Sequence, residues 1–271
     1  MAFLKLPAGR LRVYLAADNV GAVLERGWLR RRVECASAQV APDEAGAQPW
    51  APAVRALAEL IAGRGWRGMA IDVALSSEFV RFALVPGIRR QLSSLEMQGL
   101  AQGMFTRVLG ETASDWSVRY CATDRATLLG AAAQKPLLAA LEDSARACHC
   151  TLRSVSPLWS CVANQQRARL GRRSAWLVLA EPRATAYGLL ERGRWRVVRA
   201  KALDLGQGLN VARLVERESR YLGTGTRDAV VAGEPQEGAF PPDWKVERVP
   251  LALARFGALP ADCRPASLAG T

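Results

Sequence analysis

The feature that most restricts the fold of this chain is a hairpin written twice. Residues 15–35 read LAADNVGAVLERGWLRRRVEC, and residues 176–200 read WLVLAEPRATAYGLLERGRWRVVRA. Each carries Leu-Ala, crosses a polar turn and reaches Leu-Glu-Arg-Gly, at 24–27 and again at 190–193. Each then gives a Trp within two residues of that Gly and an Arg/Val-rich run. A strand pattern that recurs about 165 residues on asks for the same packing twice, because register is set by which face is apolar. The copies differ most at the turn. The first reads Ala17-Asp18-Asn19-Val20-Gly21, the second Glu181-Pro182-Arg183-Ala184-Thr185-Ala186.

Each hairpin opens a similar series of elements. Strands are predicted at 11–17, 20–26 and 28–35, then a polar loop over 36–50 and a helix over 52–62, opened by Pro52 and ended by Gly63 and Gly65. Strands follow at 69–75 and 78–85. Ser93 and Glu96 form a capping box before a helix whose apolar residues are Met97, Leu100, Ala101, Met104, Phe105 and Val108. Strands at 116–122 and 127–133, a helix over 136–147, a strand at 151–155 and a helix opened by Pro157 complete the first series. The polar stretch 166–173 reads as a boundary. After the second hairpin, extended through 196–203, come a helix over 209–221, strands at 229–232 and 245–249, and a helical turn at 251–256. The expected organisation is a first half over 1–165 with inserted αβ elements, a smaller second half over 172–260 and a loose tail over 261–271.

Half of the 271 residues are hydrophobic, enough for real cores, and no apolar run is long enough to span a membrane. No signal-peptide pattern opens the sequence, so it reads as cytoplasmic. Six cysteines suit that compartment as reduced thiols, with Cys35, Cys121 and Cys161 acting as small hydrophobes. The net charge of +12 comes from dispersed arginine, with Arg30-Arg31-Arg32 the longest run. It suits an acidic partner or an anionic membrane surface as well as nucleic acid, whose signature would be a patch on one face.

The layout resembles the actin-like superfamily, an α/β fold of two ribonuclease-H-like halves facing across a cleft. Within it, the chain is most similar to the PilM-like proteins and the cytoplasmic part of GspL, from type IV pilus and type II secretion machines. Three phrases carry the resemblance: ALSSEFVRFALVPG (74–87) before a helix with an early Glu96, DRATLLGAAAQKPLLAALEDSARACHCTLRSVSPLWSCVAN (124–164), and VVAGEPQ (230–236) followed by WKVERVPLA (244–252). In active members of the superfamily the two hairpin turns hold the ATP phosphates, each with an Asp for Mg²⁺ and a Gly that lets backbone N–H groups approach. Here Asp18 and Gly21 lack the Asp-x-Gly spacing. Glu181, placed to face a cation, stands beside Pro182, which has no N–H. Of the adenosine-side glycine pair only Gly233 remains. The resemblance thus implies vestigial positions at Asp18, Gly21, Glu181 and Gly233, with no cofactor, no metal and no catalytic residue. Its expected role is a cytoplasmic scaffold held at the inner membrane through the cytoplasmic peptide of a bitopic assembly protein, or through the assembly ATPase, with a peptide groove in the first half. The alternatives are an active actin-like ATPase or small-molecule kinase, and a basic nucleic-acid binder.

Other candidate chemistry is sparse. His149, the only histidine, sits in Cys148-His149-Cys150, three consecutive residues that cannot wrap a tetrahedral metal, and is read as a helix-end residue. Gly206 and Gly208 precede a helix that could face an anion. Ser76-Ser77-Glu78 and Glu216/Glu218 are acid–base candidates, the latter on a solvated helix face. Asp72 interrupts the apolar strand MAIDVAL, where an unpaired charge would be costly, so it must reach a sheet edge, pair with an arginine or line the cleft.

Overall fold

The computed structural model describes residues 9–26, 32–41, 48–85, 92–124, 127–202, 211–233 and 240–251. The strands are β1 (Arg10–Leu15), β2 (Asn19–Arg26), β3 (Arg32–Gln39), β4 (Ala70–Leu75), β5 (Val80–Val85), β6 (Trp116–Asp124), β7 (Thr127–Gln134), β8 (Thr151–Pro157), β9 (Ala175–Ala180), β10 (Ala184–Glu191), β11 (Arg194–Ala202), β12 (Asp228–Ala232) and β13 (Lys245–Val249). The helices are α1 (Ala51–Gly63), α2 (Ser94–Leu109), α3 (Lys135–Ala147), α4 (Leu158–Gln165), α5 (Arg167–Leu170) and α6 (Val211–Leu222). One sheet runs β3-β2-β1-β4-β8 and another β11-β10-β9-β12-β13. In each, an antiparallel meander is joined to two parallel strands, so the same strand order is built twice. A third sheet, β5-β7-β6, carries α2 and is inserted between β4 and α3.

Side-chain alternation explains the layers. Leu11, Val13 and Leu15 of β1 point to the helical side, where Val54, Leu57 and Ile61 of α1 and Leu137, Leu141 and Ala145 of α3 cover them. Tyr14 and Ala16 point the other way. They share a second core with Leu177 and Leu179 of β9, Ala186 of β10 and Trp159 of α4. The opposite face of β9 holds Trp176 and Val178 against Val211, Leu214 and Val215 of α6. Strand β9 is therefore buried throughout, as its unbroken apolar run requires.

The duplication is real, but it does not run through the repeated letters. Leu15 pairs with Val20 across the first turn and Ala180 with Thr185 across the second. Both turns close alike, Ala16 N–H donating to Asn19 at 2.9 Å and Glu181 N–H to Ala184 at 3.0 Å. Leu15 thus corresponds to Ala180 and Val20 to Thr185, an offset of 165. The Leu-Ala pairs lie 164 residues apart and the Leu-Glu-Arg-Gly tetrads 166. Leu24 accordingly corresponds to Leu189, each on the helical side of its sheet, while Leu190 faces the shared core. A one-residue slip exchanges faces: what recurs is the apolar alternation, and the matching tetrads are out of register.

Several boundaries differ from the sequence expectation. Strand β3 reaches Gln39, paired with Asn19, inside the predicted loop, because pairing with β2 overrides the weak strand preference of Ala-Ser-Ala. Over the predicted boundary 166–173, α5 forms one turn anchored by buried Leu170. The capping box at Ser93 and Glu96 is present, but α2 buries only Ala101 and Phe105, and Leu100 and Val108 face outward, since the helix rests on a single small sheet. Cys121, Cys148, Cys150 and Cys161 are thiols outside any disulfide. Cys35 is disulfide-bonded, against the expectation of six reduced thiols. The 206/208 glycine pair, Arg30, Arg31, most of the helical turn expected at 251–256 and the tail 261–271 lie outside the described residues.

Candidate functional site

The two equivalent turns, 16–19 and 181–184, meet next to a short 3-10 helix at Ser77–Phe79 that follows β4. Strand β4 runs parallel to β1, so its C-terminal end delivers Ser76, Ser77 and Glu78 to the first turn. Ser76 caps the short helix, and its hydroxyl accepts from the Glu78 N–H at 3.5 Å. The carboxylate of Glu78 turns back and accepts the Ala17 N–H at 2.6 Å. Burial pushes the Glu78 carboxyl above its ordinary range, against the pull of the Ala17 amide and of Arg183.

Glu181 comes from the other sheet. Its side chain is 2% exposed and accepts the Ser77 N–H at 3.0 Å through Oε2 and the Tyr14 hydroxyl at 3.1 Å through Oε1. The bonds join the second turn to β1 and to the helix start beside it. Burial pushes the Glu181 carboxyl up to about 7, despite hydrogen bonds from Ser77, Ser76 and Tyr14 that favour the ion. The same burial, with the charges of Glu181, Glu78 and Asp18, raises the Tyr14 phenol well above its usual range. A buried carboxyl is thus built into the junction, and its oxygen takes the amide of Ser77.

Of the residues singled out from the sequence, Asp18 lies in the first turn and Glu181 in the second. Gly21 is not in the turn but within β2, opposite Tyr14. Gly233, with φ +86°, sits directly against the backbone of Ala180, where an added Cβ would collide with the Ala180 carbonyl. That close approach requires glycine whatever else the position does. Glu181 meets a backbone amide and a phenol. Ser76, Ser77 and Glu78 serve as its framework. Among the described residues no group of three or more His, Cys, Asp or Glu side chains is placed to hold a metal ion.

The remaining candidates are structural. Asp72 is held by Arg10 at 2.5 Å, Arg153 at 3.0 Å and Ser154 at 2.5 Å. Burial raises its carboxyl, but these bonds outweigh it and hold the group below its usual range. His149 is exposed at the end of α3 with φ +55°. The Cys150 N–H returns to Ala145 and the His149 N–H to Arg146, at 2.8 and 3.0 Å, which is a Schellman closure. Glu216 pairs with Arg220 on α6, and Glu218, buried beside Tyr187, pairs with Arg199.

Two sheets of identical β-meander-plus-parallel order, facing each other with their hairpin turns together, define an actin-like fold of two ribonuclease-H-like halves. The solved structures it is similar to carry that fold. A chain of the PilM-PilN type IV pilus biogenesis complex aligns with a TM-score of 0.68 and 13% identity, over 90% of this chain and 89% of that one. The cytoplasmic domain of EpsL, an inner membrane component of the type II secretion system of Vibrio cholerae, aligns with a TM-score of 0.59 and 13% identity, over 91% of each chain. A Bacteroides thetaiotaomicron protein with an actin-like ATPase fold aligns with a TM-score of 0.58 and 11% identity, over 88% of this chain and 86% of that one. No protein-family model and no curated protein matches the sequence.

Proposed function

We propose that the chain is a non-catalytic scaffold of a type IV pilus or type II secretion assembly platform, divided into halves over 1–165 and 172–260. It would act in the cytoplasm and be held at the inner membrane by a cytoplasmic segment of a membrane partner, with the assembly ATPase as a second candidate partner. The observation that carries this reading is an apolar groove in the first half, of about 270 Å³, between β8 with α3 and the inserted sheet. Leu75, Val80, Leu138, Leu152, Val155 and Pro157 line it, with Arg119 and Glu142 also lining it. Strand β8 is the terminal strand of its sheet among the described residues, and a strand edge beside an apolar trough suits an extended peptide. The likeness to a chain of the PilM-PilN complex supports a partner-binding role. No helix among the described residues is long and apolar enough to cross a membrane. We expect cytoplasmic tails of inner-membrane assembly proteins to bind at micromolar Kd in calorimetric titration and to survive moderate salt. Val155→Glu should weaken them at least tenfold, about 1.4 kcal/mol. Failure of every such tail, with single-stranded nucleic acid binding instead, would replace the scaffold with the basic-binder reading.

Absence of catalysis rests on the turns. The residues present do not fit a magnesium nucleotide. The Ala17 amide is taken by Glu78 and the Ser77 amide by Glu181, and Pro182 has no N–H. ATP with Mg²⁺ should therefore leave the melting temperature unchanged, since a ligand stabilises only the state it binds. A saturable rise at sub-millimolar ATP would restore the ATPase or kinase reading.

A further inference from the structure

The opposite end of the second half carries a basic basin that the scaffold reading does not use. Strands β10 and β11 are joined by Arg192-Gly193, with Glu191 paired to Arg194 across the turn. Both turn residues have positive φ, 51° and 80°, the signature of a type I′ hairpin, which favours Asn, Asp or Gly at its first position. An arginine there strains the backbone, and local strain kept in a structure points to a use for the side chain. Beside the turn lies a cavity of about 1370 Å³, with Arg192, Arg194, Arg196 and Arg227 on its lining against one carboxylate, Glu191. That carboxylate is committed to Arg196 at 3.2 Å and to the Thr224 hydroxyl at 2.9 Å. Arg227 pairs with Asp243 at 3.4 Å. Arg192 and Arg194 are exposed and have no acidic partner among the described residues. Ser174, Thr224, Thr226 and Trp195 also line it, with Leu84 and Thr127 from the inserted sheet.

We propose that this basin binds an acidic segment of a partner protein, its carboxylates gripped by Arg192 and Arg194. Guanidinium forks match carboxylates in pairs, and the site is concave, which suits a chain entering it better than a flat bilayer. The one lining aromatic, Trp195, packs against Trp159 with ring centroids 5.0 Å apart, whereas single-strand binders stack successive bases on several aromatic rings. The test uses the full chain and a labelled oligoglutamate peptide, with oligoglutamine of equal length as control. Oligoglutamate should bind at low salt and oligoglutamine should not. The double variant Arg192→Asn with Arg194→Gln should lose binding by about tenfold or more, as expected for charge-assisted bonds, while its melting temperature holds or rises because Asn relieves the turn. A purely structural role for Arg192 predicts the reverse pairing of results. Absence of oligoglutamate binding, or equal binding by the variant, overturns the proposal. Tighter binding of oligo(dT), or of vesicles rich in phosphatidylglycerol, at these same arginines would also overturn it, in favour of nucleic acid or lipid.

Discussion

Trp159→Ala should lower the stability of the chain by about 3–5 kcal/mol, the usual range for deleting a buried large aromatic. Trp159 is 1% exposed and stands on α4 where all three sheets converge. Its ring meets Phe82 of β5 edge-on at 5.5 Å and Trp195 of β11 edge-on at 5.0 Å. Gly188 of β10 lies beneath it so closely that a Cβ there would come within 2.7 Å of Trp159 and 2.9 Å of Trp195. The backbone has thus given up a side chain to seat two indoles. Truncation leaves a void with walls from different sheets, which cannot collapse together. The urea midpoint should fall, and transitions followed by circular dichroism and by fluorescence should separate, since the lost ring joins units that otherwise unfold as one. Trp159→Phe, which fills most of the void and also removes an indole N–H with no partner among the described residues, should lose distinctly less. A loss under 1 kcal/mol for the alanine variant would mean that the sheets do not depend on this contact.

That aromatic convergence was not legible in the sequence, and the reason is general. Phe82, Trp159 and Trp195 lie in three separate elements, and no local periodicity announces that they meet. What periodicity could announce, it did: β1, β4, β9 and the helices opened by Pro52 and Pro136 fall where alternation and capping place them. The repeated hairpin correctly indicated two equivalent sheets, although the letters that drew attention to it are a residue out of register with the turns that do correspond. Turn chemistry was half legible. The loss of Gly and Asp at 181–186 is plain, but the destination of Glu181 is not, because Ser77 and Tyr14 reach it only through the face-to-face approach of the sheets. Ser76-Ser77-Glu78 drew notice as polar residues ending an apolar strand. Their role as donor and frame needed the neighbouring turn. The arginines at 192 and 194 read as dispersed charge until the hairpin turn set them on one rim.

Glu181 should make stability fall as pH rises from about 4.5 to about 7, and Glu181→Gln should abolish that slope. The carboxyl is pushed up to about 7 by burial, so between its unfolded value of 4.5 and 7 the folded chain holds a proton that the unfolded chain has released. Raising the pH through that window therefore favours unfolding, and the linked loss is complete above 7. A separation of that size corresponds to about 3 kcal/mol. Glu78, also raised by burial, adds to the same slope. Asp72, held low by its arginines, acts in the opposite sense and only at more acidic pH. Glutamine keeps an oxygen for the Ser77 amide and the Tyr14 hydroxyl without the buried charge. The variant should match the wild-type chain near pH 5 and exceed it at pH 8, as read by urea unfolding at each pH. If instead Glu181→Gln is less stable at pH 8, the ion itself is what joins the two turns, and the junction is held by a charge that the Ser77 amide and Tyr14 solvate well enough to keep its carboxyl in the ordinary range.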